Sequence, residues 1–517
     1  MPGDRHPLTQ LLPDDPHDRE TARNTHPPDW VNPTPQGVYD LVVVGGGTAG
    51  LVSAGGAGLL RMRVALVERA HTGGDCLVTG CVPSKALIRA ARAAHDVRDA
   101  GRFGVRVPEG VGVDFAAVMS RMRALRAKIS QHDAAAAFRD GYNVDVYFGD
   151  ARFDGPDAVE VAGQRLRFHR AVIATGGRPR IPDVEGLEQA GFHTSETVFN
   201  LTERPARLAV VGGGPIGCEL AQAFARLGSQ VTLVHQGGRL LPREDREVSR
   251  LLVEVFRREG IDVRLSAELR RVEARGGAKV LHLLAGGQSL QIEADAILLA
   301  VGRVPNVEGL NLEAAGVRYD ARGVTVDDFL RTSNRRVYAV GDVCLPYQFT
   351  HAAEASAKVA VRNAIAPGRQ RFSKVLVPRC TYTDPEIAHV GMTEAEGQAE
   401  WGRRGVWAQS YKLDEVDRAV TDGETDGFLR LIVRPYSQHI CGATLVSRHA
   451  GETISQVTTA MVGGMGLKKL ADVVFPYPTQ AEAIKKAVDH YQQWRVTSMR
   501  HVIYPLWRLW LAWLRRG

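Results

Sequence analysis

The sequence predicts an α/β protein with two Rossmann-like dinucleotide-binding domains, followed by a C-terminal α+β domain. Two glycine-rich turns of the pattern G-x-G-x-x-G, at residues 45–50 and 212–217, each follow an apolar strand and precede a predicted helix. From about residue 370 the periodicity changes to short strands followed by helices, which is typical of a separate α+β domain. A chain of 517 residues is also too long for a single core and favours about three domains.

The first glycine-rich turn stands in the full context of a dinucleotide-binding unit. The strand Val38–Val44 precedes it, and a second strand at residues 63–67 ends in Glu68. Glu68 lies 18 residues beyond the last glycine, where an acid can hydrogen-bond a ribose hydroxyl. This context makes a glycine-rich turn without a ligand the weaker interpretation.

The second turn belongs to a unit of the same design. His235 occupies the position equivalent to Glu68, again 18 residues past the last glycine. One unit can therefore hold a flavin and the other a nicotinamide nucleotide. Because the acid that selects the free 2′-hydroxyl of NAD is missing, the sequence favours NADPH over NADH. The candidate cations, which an ordinary solvated loop would also explain, are His235, Arg239 and Arg243.

Two further strand ends fit a cofactor site, although an ordinary turn is the alternative for both, and a third strand end closes the second unit. The apolar strand at residues 171–174 runs into Thr175 and Gly176, which suits a backbone crossing beneath a cofactor. The strand at residues 337–340 ends in Gly-Asp, and Asp342 can there bond a ribityl hydroxyl. The strand at residues 296–301 closes the second unit at Gly302.

Cys76 and Cys81 lie five residues apart in a chain with six cysteines. In an ideal helix such residues have Cα atoms about 8–9 Å apart, whereas a disulfide needs about 4.4–6.8 Å. A bond therefore requires a bend, which Gly80 permits. Pro83 suits a helix that begins near Cys81, where the helix dipole and Lys85 favour the thiolate. We interpret the pair as redox-active; two free core cysteines or half of a metal site are the alternatives.

Composition and charge narrow the class of protein. Six cysteines do not make a secreted disulfide framework, and a reducing cytoplasm is expected. The net charge of +7 is partly local, because residues 493–517 hold five arginines and no acid. Without a basic stripe interleaved with aromatic residues elsewhere, we expect no nucleic-acid partner.

The two ends of the chain lie outside the predicted domains. Residues 1–37 hold eight prolines and no apolar core of a signal peptide, and they are predicted to be an extended or disordered arm that Trp30 and Val31 attach. Residues 86–140 are predicted to be helical, with core-facing residues Ile88, Ala91, Met119, Met122, Leu125 and Ile129. The tail 493–517 has an apolar face over residues 506–514, which fits either a membrane surface or a helix packed on the body or a partner subunit.

Taken together, residues 38–490 resemble a flavoprotein disulfide reductase of the pyridine nucleotide–disulfide oxidoreductase family. The resemblance rests on five motifs in order: Gly45–Gly50, Cys76–Lys85, Ala174–Gly177, Gly212–Gly217 and Gly341–Asp342. It implies bound FAD, a homodimer, and a C-terminal domain that completes each active site across the two-fold axis. The implied parts are an FAD-binding domain 38–186 and 306–368, an NAD(P)-binding domain 187–305 and an interface domain 369–492. The proline-rich arm 1–37 and the basic tail 493–517 lie outside them.

The resemblance also implies roles for single residues. Cys81 is the sulfur beside the flavin, Cys76 is the interchange sulfur, and Lys85 and Glu219 form an ion pair near the flavin ring. The implied FAD-binding residues are Gly45, Gly47, Gly50, Glu68, Lys85, Thr175, Gly176 and Asp342. The implied nicotinamide-nucleotide residues are Gly212, Gly214, Gly217, His235 and Gly302.

The substrate depends on the C-terminal region. Disulfide-reducing members carry a His–Glu pair from the partner subunit; here Glu482 is kept and Tyr477 replaces the His. A tyrosine with an ordinary pKa near 10 is a poor base, and reduction of a thiol-bound metal ion needs no such proton shuttle. The Phe-Pro-Tyr pattern is similar to that of mercuric reductases, which implies Hg(II) bound transiently at Cys76 and Cys81. Against this, the cysteine pair at the C-terminus and the N-terminal Cys-x-x-Cys domain of that group are absent.

Three functions are therefore carried forward. The first is a mercuric-reductase-like oxidoreductase using FAD and NADPH or NADH. The second is a dihydrolipoamide-dehydrogenase-like disulfide reductase that tolerates Tyr477. The third, motivated by the tail, is an electron-transfer flavoprotein bound peripherally at the inner membrane face.

Overall fold

The computed structural model describes residues 10–367, 369–435 and 437–515. The helices, in chain order, are α1 (Pro16–Thr25), α2 (Thr48–Leu59), α3 (Gly74–Val78), α4 (Cys81–Asp99), α5 (Phe115–Ser130), α6 (Ala135–Tyr142), α7 (Leu187–Ala190), α8 (Pro215–Arg226), α9 (Arg246–Arg258), α10 (Thr350–Ile365), α11 (Glu394–Trp401), α12 (Asp417–Asp422), α13 (Ala450–Val462), α14 (Leu467–Ala471), α15 (Glu482–Ser498) and α16 (Arg500–Leu514).

The strands, also in chain order, are β1 (Val38–Val44), β2 (Val64–Glu68), β3 (Val144–Phe148), β4 (Arg152–Phe153), β5 (Ala158–Val161), β6 (Gln164–Ile173), β7 (Gly177–Pro179), β8 (Arg207–Val211), β9 (Gln230–His235), β10 (Asp262–Leu265), β11 (Ala267–Arg275), β12 (Ala278–Ala285), β13 (Gln288–Ala294), β14 (Ala296–Leu299), β15 (Arg303–Pro305), β16 (Tyr319–Asp320), β17 (Gly323–Val324), β18 (Val337–Ala339), β19 (Arg379–Thr381), β20 (Glu386–Gly391), β21 (Trp407–Lys412), β22 (Phe428–Arg434) and β23 (His439–Ser447).

The chain divides into two compact units. One comprises the chain up to Pro242 together with Val253–Val375, and the other comprises Arg243–Leu252 together with the chain from Leu376 onward. The first unit contains both glycine-rich turns. The second contains the predicted C-terminal α+β region.

The first sheet of the first unit has the strand order β3-β2-β1-β6-β5-β4, and β18 also pairs with β6. β1 lies between β2 and β6, parallel to both. Parallel strands are covered by helices on both faces, which explains the nearly continuous apolar run of β1. The pairing of β18 with β6 joins segments of the chain that are far apart in sequence.

The second sheet has the order β10-β9-β8-β14, with all its pairs parallel. Helix α8 follows β8 directly after the second glycine-rich turn. The strand–turn–helix arrangement therefore occurs twice, and the predicted fold class is confirmed.

A short two-stranded ribbon, β7 with β15, brings together the two segments that follow the cofactor-like strand ends. The Thr175 hydroxyl donates to Asn306 O at 2.7 Å, and the Asn306 side-chain amide donates to Thr175 O at 2.9 Å. These reciprocal bonds join the two chain segments at the end of the ribbon where Gly177 pairs with Pro305.

The second unit is built on an antiparallel sheet of order β19-β20-β23-β22-β21. Buried aliphatic side chains of β22 and β23 pack with apolar residues of α13 and α15. Tyr491 of α15 is buried in this core, and its hydroxyl donates to Pro435 O at 2.7 Å. The α+β prediction for this region is confirmed.

The predicted extended or disordered arm is wrong for residues 16–25, which form α1. Asp15 caps this helix by accepting from the N–H groups of His17 and Asp18. Arg126 Nη2 lies 2.5 Å from Asp18 Oδ1, and each side chain is about 1% exposed. Arg123 pairs with Asp15 at 2.6 Å. Helix α1 is thus anchored by charged pairs on α5. The rest of the prediction for residues 1–9 lies outside the described residues.

The remainder of the arm runs along β3, the outermost strand of the first sheet. Trp30 Nε1 donates to Val146 O at 3.1 Å. The Asn32 side chain donates to Phe148 O and accepts from Phe148 N, both at 2.8 Å. Val31, by contrast, is 85% exposed, so Trp30 attaches the arm and Val31 does not.

The predicted helical region 86–140 is three helices, α4, α5 and α6, with an irregular segment at residues 104–114. Ala91, Met119 and Met122 are buried as predicted. Ile129, however, is 38% exposed, because it lies on the solvent face of α5.

The tail forms α16, which follows α15 after a single residue. Its apolar side chains from Leu506 to Leu514 are largely exposed in the chain. Among the described residues, no helix is both long and apolar enough to cross a membrane. Of the five tail arginines, Arg516 lies outside the described residues.

Candidate active site

The two glycine-rich turns have the same close-packed backbone. A Cβ atom on Gly50 would lie 1.7 Å from Gly45 O, and one on Gly217 would lie 1.9 Å from Gly212 O. Only glycine fits either position. Gly47 and Gly214 are the N-caps of α2 and α8, and neither offers a side chain to the N–H groups of the first turn. Both helix ends therefore present donors to a phosphate.

Glu68 and His235 make equivalent contacts in the two units. Gly46 N donates to Glu68 Oε2 at 2.5 Å, and Gly213 N donates to His235 Nδ1 at 3.2 Å. Burial raises the pKa of Glu68 and lowers the pKa of His235. His235 is therefore held neutral, and the sequence-based expectation that it supplies a cation is weakened.

The other two candidate cations differ in their surroundings. Arg239 Nη2 donates to Pro242 O at 2.5 Å, which turns its guanidinium toward its own loop. Arg243 belongs to the second compact unit. Of these two arginines, only Arg239 therefore belongs to the same unit as His235.

The two cysteines flank a sharp bend. Cys76 is on α3, and α4 begins at Cys81 as predicted. Gly80 lies between them, and a Cβ atom there would come within 2.7 Å of Asp75 O. The backbone therefore bends between Cys76 and Cys81, as a disulfide between residues five apart requires.

The thiols of the pair titrate in opposite directions. Cys81 accepts a hydrogen bond from Cys76, which together with Thr350 and the charge of Lys85 lowers the pKa of Cys81 to about 6. The same hydrogen bond and burial raise the pKa of Cys76. The Cys81 sulfur lies 3.1 Å from the Thr350 hydroxyl, at the start of α10. The reduced pair therefore holds one proton on Cys76 and a thiolate on Cys81.

Lys85 and Glu219 form an ion pair between α4 and α8. Lys85 Nζ lies 2.8 Å from Glu219 Oε2, and the Glu219 side chain is 6% exposed. The pair therefore links the cysteine-bearing helix to the helix that follows the second glycine-rich turn.

Asp342 lies beside Arg303, the first residue of β15. Burial raises the pKa of Asp342 to about 6. Arg303 reaches Asp342 Oδ2 at 3.4 Å and Asp75 Oδ2 at 2.9 Å. Gly176 and Gly302 immediately precede the two strands of this ribbon. Arg303 therefore connects Asp342 to the residue before Cys76.

Tyr477 and Glu482 belong to the second compact unit. Tyr477 is 70% exposed, and its hydroxyl donates to Asp417 Oδ2 at 2.9 Å, which raises the pKa of the phenol. The Glu482 side chain is 15% exposed, with Lys486 Nζ at 3.9 Å from Oε1. Glu482 Oε2 is buried without a hydrogen-bond partner among the described residues.

Residues 39–363 match the family described as pyridine nucleotide-disulphide oxidoreductase, and residues 377–488 match its dimerisation domain. The chain belongs to this family. The dimerisation domain supports a homodimer.

Named relatives of the pyridine nucleotide-disulphide oxidoreductase family cover most of the chain. A mercuric reductase of Lysinibacillus sphaericus is 36% identical over 87% of this chain and 82% of its own length. A dihydrolipoyl dehydrogenase of Thermus scotoductus is 35% identical over 87% of this chain and 97% of its own. A solved structure, the HOCl-induced flavoprotein disulfide reductase RclA from Escherichia coli, has a TM-score of 0.77 at 27% identity and covers 87% of this chain and 99% of that one.

Members of the family use FAD and NAD(P)H, and the residues of the first unit fit FAD. The uncapped N-terminus of α2 suits a pyrophosphate, and Glu68 stands at the end of β2 beside that turn. Asp342 supplies a buried acceptor at the end of β18. The roles of these residues toward FAD, and the domain boundaries given above, remain predictions.

Sequence reasoning missed several residues that the site contains. Thr350 and Thr48 hydrogen-bond the cysteine sulfurs, and Arg303 joins Asp75 to Asp342. Within the second compact unit, sequence reasoning also missed Asp417, which accepts a hydrogen bond from the Tyr477 hydroxyl. No local pattern marks Thr350, because its partner is 269 residues away in sequence.

Proposed function

We propose that this protein is an FAD-dependent NAD(P)H oxidoreductase whose Cys76–Cys81 pair reduces a thiol-bound metal ion, with Hg(II) the best-matched substrate. The observation that carries the proposal is the state of Tyr477. Its hydroxyl donates to Asp417, and this contact raises the pKa of the phenol. Such a group is a poor general base at neutral pH, which disfavours a reaction that needs a proton shuttle at this position.

The cysteine pair is suited to metal binding. The thiolate is the form that binds a metal, and the pKa of about 6 makes Cys81 mostly anionic at neutral pH. Cys76 keeps its proton until a metal ion displaces it. Thr350 and Lys85 stabilise the thiolate of Cys81 while Cys76 replaces the second carrier thiol on the metal ion.

The overall reaction balances without another reactant. Bound FAD would supply the transfer of two electrons from NAD(P)H to the Cys76–Cys81 disulfide. A bis-thiolate complex of Hg(II) with NAD(P)H and one proton then gives Hg(0), NAD(P)⁺ and two free thiols. The chain's own part is to take over the metal from its carrier thiols by thiol exchange.

Two named comparisons support a metal substrate. Mercuric reductases are 35–37% identical to this chain over 87–88% of its length. RclA, the structural neighbour, has been solved as a Cu(II) complex, with a TM-score of 0.78 to this chain. A thiol-bound transition-metal ion is therefore the substrate class we assign.

A second candidate is reduction of a small disulfide such as lipoamide. Dihydrolipoyl dehydrogenases are 31–35% identical over the same part of the chain. The retained Glu482 favours this reading, because its Oε2 atom is buried without a hydrogen-bond partner in the described part of the chain. That carboxylate could orient a base if position 477 carried one.

A substrate comparison on the purified holoenzyme tests the two candidates. We expect NADPH oxidation that depends on Hg(II) in excess thiol, and little reduction of lipoamide. Tyr477→His should raise lipoamide reduction while leaving Hg(II) reduction largely intact. Fast lipoamide reduction by the unaltered enzyme, with no response to Hg(II), would overturn the first candidate.

Cysteine variants test the assignment of the pair itself. Cys76→Ser and Cys81→Ser should each abolish turnover while FAD stays bound. Cys441→Ser, which changes a half-buried cysteine of the second unit, is the matched control and should retain activity. Turnover close to that of the unaltered enzyme in either active-site variant contradicts the assignment.

The remaining features of the proposed function concern the nucleotide and the location. We propose NADPH as the preferred donor, because no acid stands at position 235 to repel a 2′-phosphate and Arg239 lies in the same loop.

The proposed location is the cytoplasm, in keeping with the few cysteines, with peripheral contact of residues 506–514 at the inner membrane face.

A further inference from the structure

Helix α16 carries large apolar side chains that the chain does not bury. Leu509 is 68% exposed and Trp513 is 70% exposed, and no part of the family match extends beyond residue 488. The others that are at least 47% exposed are Tyr504, Leu506, Trp507, Trp510 and Leu514. A contiguous apolar surface of this kind marks an interaction site in a soluble chain.

The exposed leucines and tryptophans share one face of the helix, whereas Tyr504 lies on the side of Arg508. At about 100° per residue, the leucines and tryptophans of residues 506–514 that are most exposed span an arc of about 160°. Arg508 and Arg515 fall on the opposite side, within about 20° of each other. The helix is therefore amphipathic, with a broad apolar face and a cationic back.

The charge around this helix has a single sign. Residues 493–517 include no aspartate or glutamate. Among described residues, Arg508 lies over the Tyr504 ring at 5.9 Å, which leaves its charge without an acidic partner in the tail. The complementary surface must therefore be negative.

We propose that α16 lies in the plane of an anionic phospholipid surface, with its apolar face inserted at the boundary of headgroups and acyl chains. The run from Leu506 to Leu514 is about 14 Å long, roughly half of a hydrocarbon core, so the helix lies on the bilayer and does not span it. Tryptophan is the side chain favoured at this depth. Arg508 and Arg515 contact the headgroup phosphates.

A second copy of this chain is the weaker occupant. A second tail could cover the apolar face, but because it contains no acid it would leave Arg508 and Arg515 without a counter-charge, which an anionic surface supplies. The inference rests on the cytoplasmic location proposed above, because that leaflet carries anionic lipid. It does not depend on which substrate the cysteine pair reduces.

Flotation of the full-length holoenzyme with vesicles tests the proposal. We expect co-flotation with vesicles of phosphatidylglycerol and phosphatidylcholine, and much less with phosphatidylcholine alone. High salt should weaken the binding, because it screens the arginine–phosphate attraction. A chain that ends at Met499 should not float, yet should reduce soluble substrate at the unaltered rate.

Single substitutions distinguish a specific loss of vesicle binding from misfolding of the truncated chain. Leu509→Ser and Trp513→Ser should each weaken vesicle binding, whereas Leu59→Ser, which alters a leucine that is 69% exposed elsewhere, should not. Arg508→Glu with Arg515→Glu should weaken binding by about tenfold or more, since each arginine near an anionic surface contributes about 1 kcal/mol. Arg322→Glu is the charge control, because Arg322 is 92% exposed in another part of the chain.

Three outcomes would overturn the proposal. One is no flotation of the full-length protein with anionic vesicles. Another is flotation that the truncated chain retains in full. The third is a smaller oligomer for the truncated chain without lipid, together with no vesicle binding, which would identify a second copy as the occupant. Because turnover of soluble substrate is measured separately, none of these outcomes is confused with failure of the proposed reaction.

Discussion

Cys76 and Cys81 are chemically identical side chains whose surroundings separate them. The hydrogen bond between them holds a proton on one sulfur and charge on the other, and Thr350 and Lys85 favour the charge on Cys81. Since a thiolate is both nucleophile and metal ligand, the identity of the anionic sulfur determines the order of events at the site. The bend that α3, Gly80 and α4 form places the two sulfurs so that Cys81 is the anionic one.

Thr350→Val should raise the pKa of Cys81, because it removes a hydroxyl 3.1 Å from the sulfur while keeping the side-chain shape. In the reduced enzyme, alkylation of Cys81 by iodoacetamide should rise through a midpoint near pH 6, and the variant should shift that midpoint upward. Peptide-resolved mass spectrometry over a pH series measures both cysteines at once. Thr459→Val, at an exposed position on α13, should leave the midpoint unchanged; an unchanged midpoint in Thr350→Val would rule out the hydroxyl's role.

His235→Glu should shift the nucleotide preference toward NADH. The new carboxylate can accept from Gly213 N, as Glu68 accepts from Gly46 N, and it repels a 2′-phosphate. We expect the ratio of kcat/KM for NADPH to that for NADH to fall by about tenfold or more, equivalent to about 1.4 kcal/mol. Gln230→Glu, at the exposed start of the same strand, is the charge control. An unchanged ratio of the two kcat/KM values would show that His235 does not determine the nucleotide preference.

At the scale of elements, α1 is attached to the fold through buried charge. Asp18 and Arg126 are both almost fully buried, and burial raises the pKa of Asp18 and lowers that of Arg126. Burial therefore disfavours both charged forms, and each ion depends on the other for compensation. Arg126 also donates to Val78 O at 3.0 Å, so the pair supports the end of the cysteine-bearing α3.

Asp18→Ala should destabilise the first unit by about 3–5 kcal/mol, because Arg126 would be left buried without its counter-ion. The loss should appear as a lower midpoint in urea unfolding followed by circular dichroism. Removing both charges, with Asp18→Leu and Arg126→Met, should recover much of the stability. Asp140→Ala breaks an exposed pair with Arg139 and should cost less than about 1 kcal/mol; an equal cost for the buried and exposed pairs would contradict the prediction.

The elements that the sequence predicted correctly share one property: the residues that indicate each of them lie close together in sequence. The strands before Gly45 and Gly212, the turns and the helices that follow lie within about 30 residues each, so pattern and fold coincide. Helix α1 was missed because it lies in a proline-rich arm and its own polar sequence has no apolar face. Its stability comes from arginines 108 residues away. Thr350 and Arg303 were missed for the same reason, and Lys85–Glu219 was expected only through a resemblance to known proteins.

At the scale of the whole molecule, the first sheet joins distant parts of the chain. β18 pairs with β6, although residues 177–305, with the second parallel sheet, lie between them. Asp342 follows β18, and the Cys76–Cys81 bend follows β2, so the site is complete only when both ends of this unit are in place. The discontinuous FAD-binding domain implied by the family resemblance remains a prediction.

Trp30→Ala combined with Asn32→Ala should release the arm from β3, since it removes the side chains that bond Val146 and Phe148. We expect the variant to self-associate as its concentration rises, measured by static light scattering. Val31→Ala is the matched control, because Val31 lies between the two and is 85% exposed. A double variant that scatters light like the unaltered protein would contradict this expectation.

The contact of Asn32 with β3 has a consequence for solubility. An edge strand exposes unsatisfied amide and carbonyl groups that can template pairing with another molecule. Asn32 fills one such donor–acceptor pair with its side-chain amide, and so imitates a neighbouring strand without continuing the sheet. We therefore expect the arm to protect β3 against edge-to-edge aggregation.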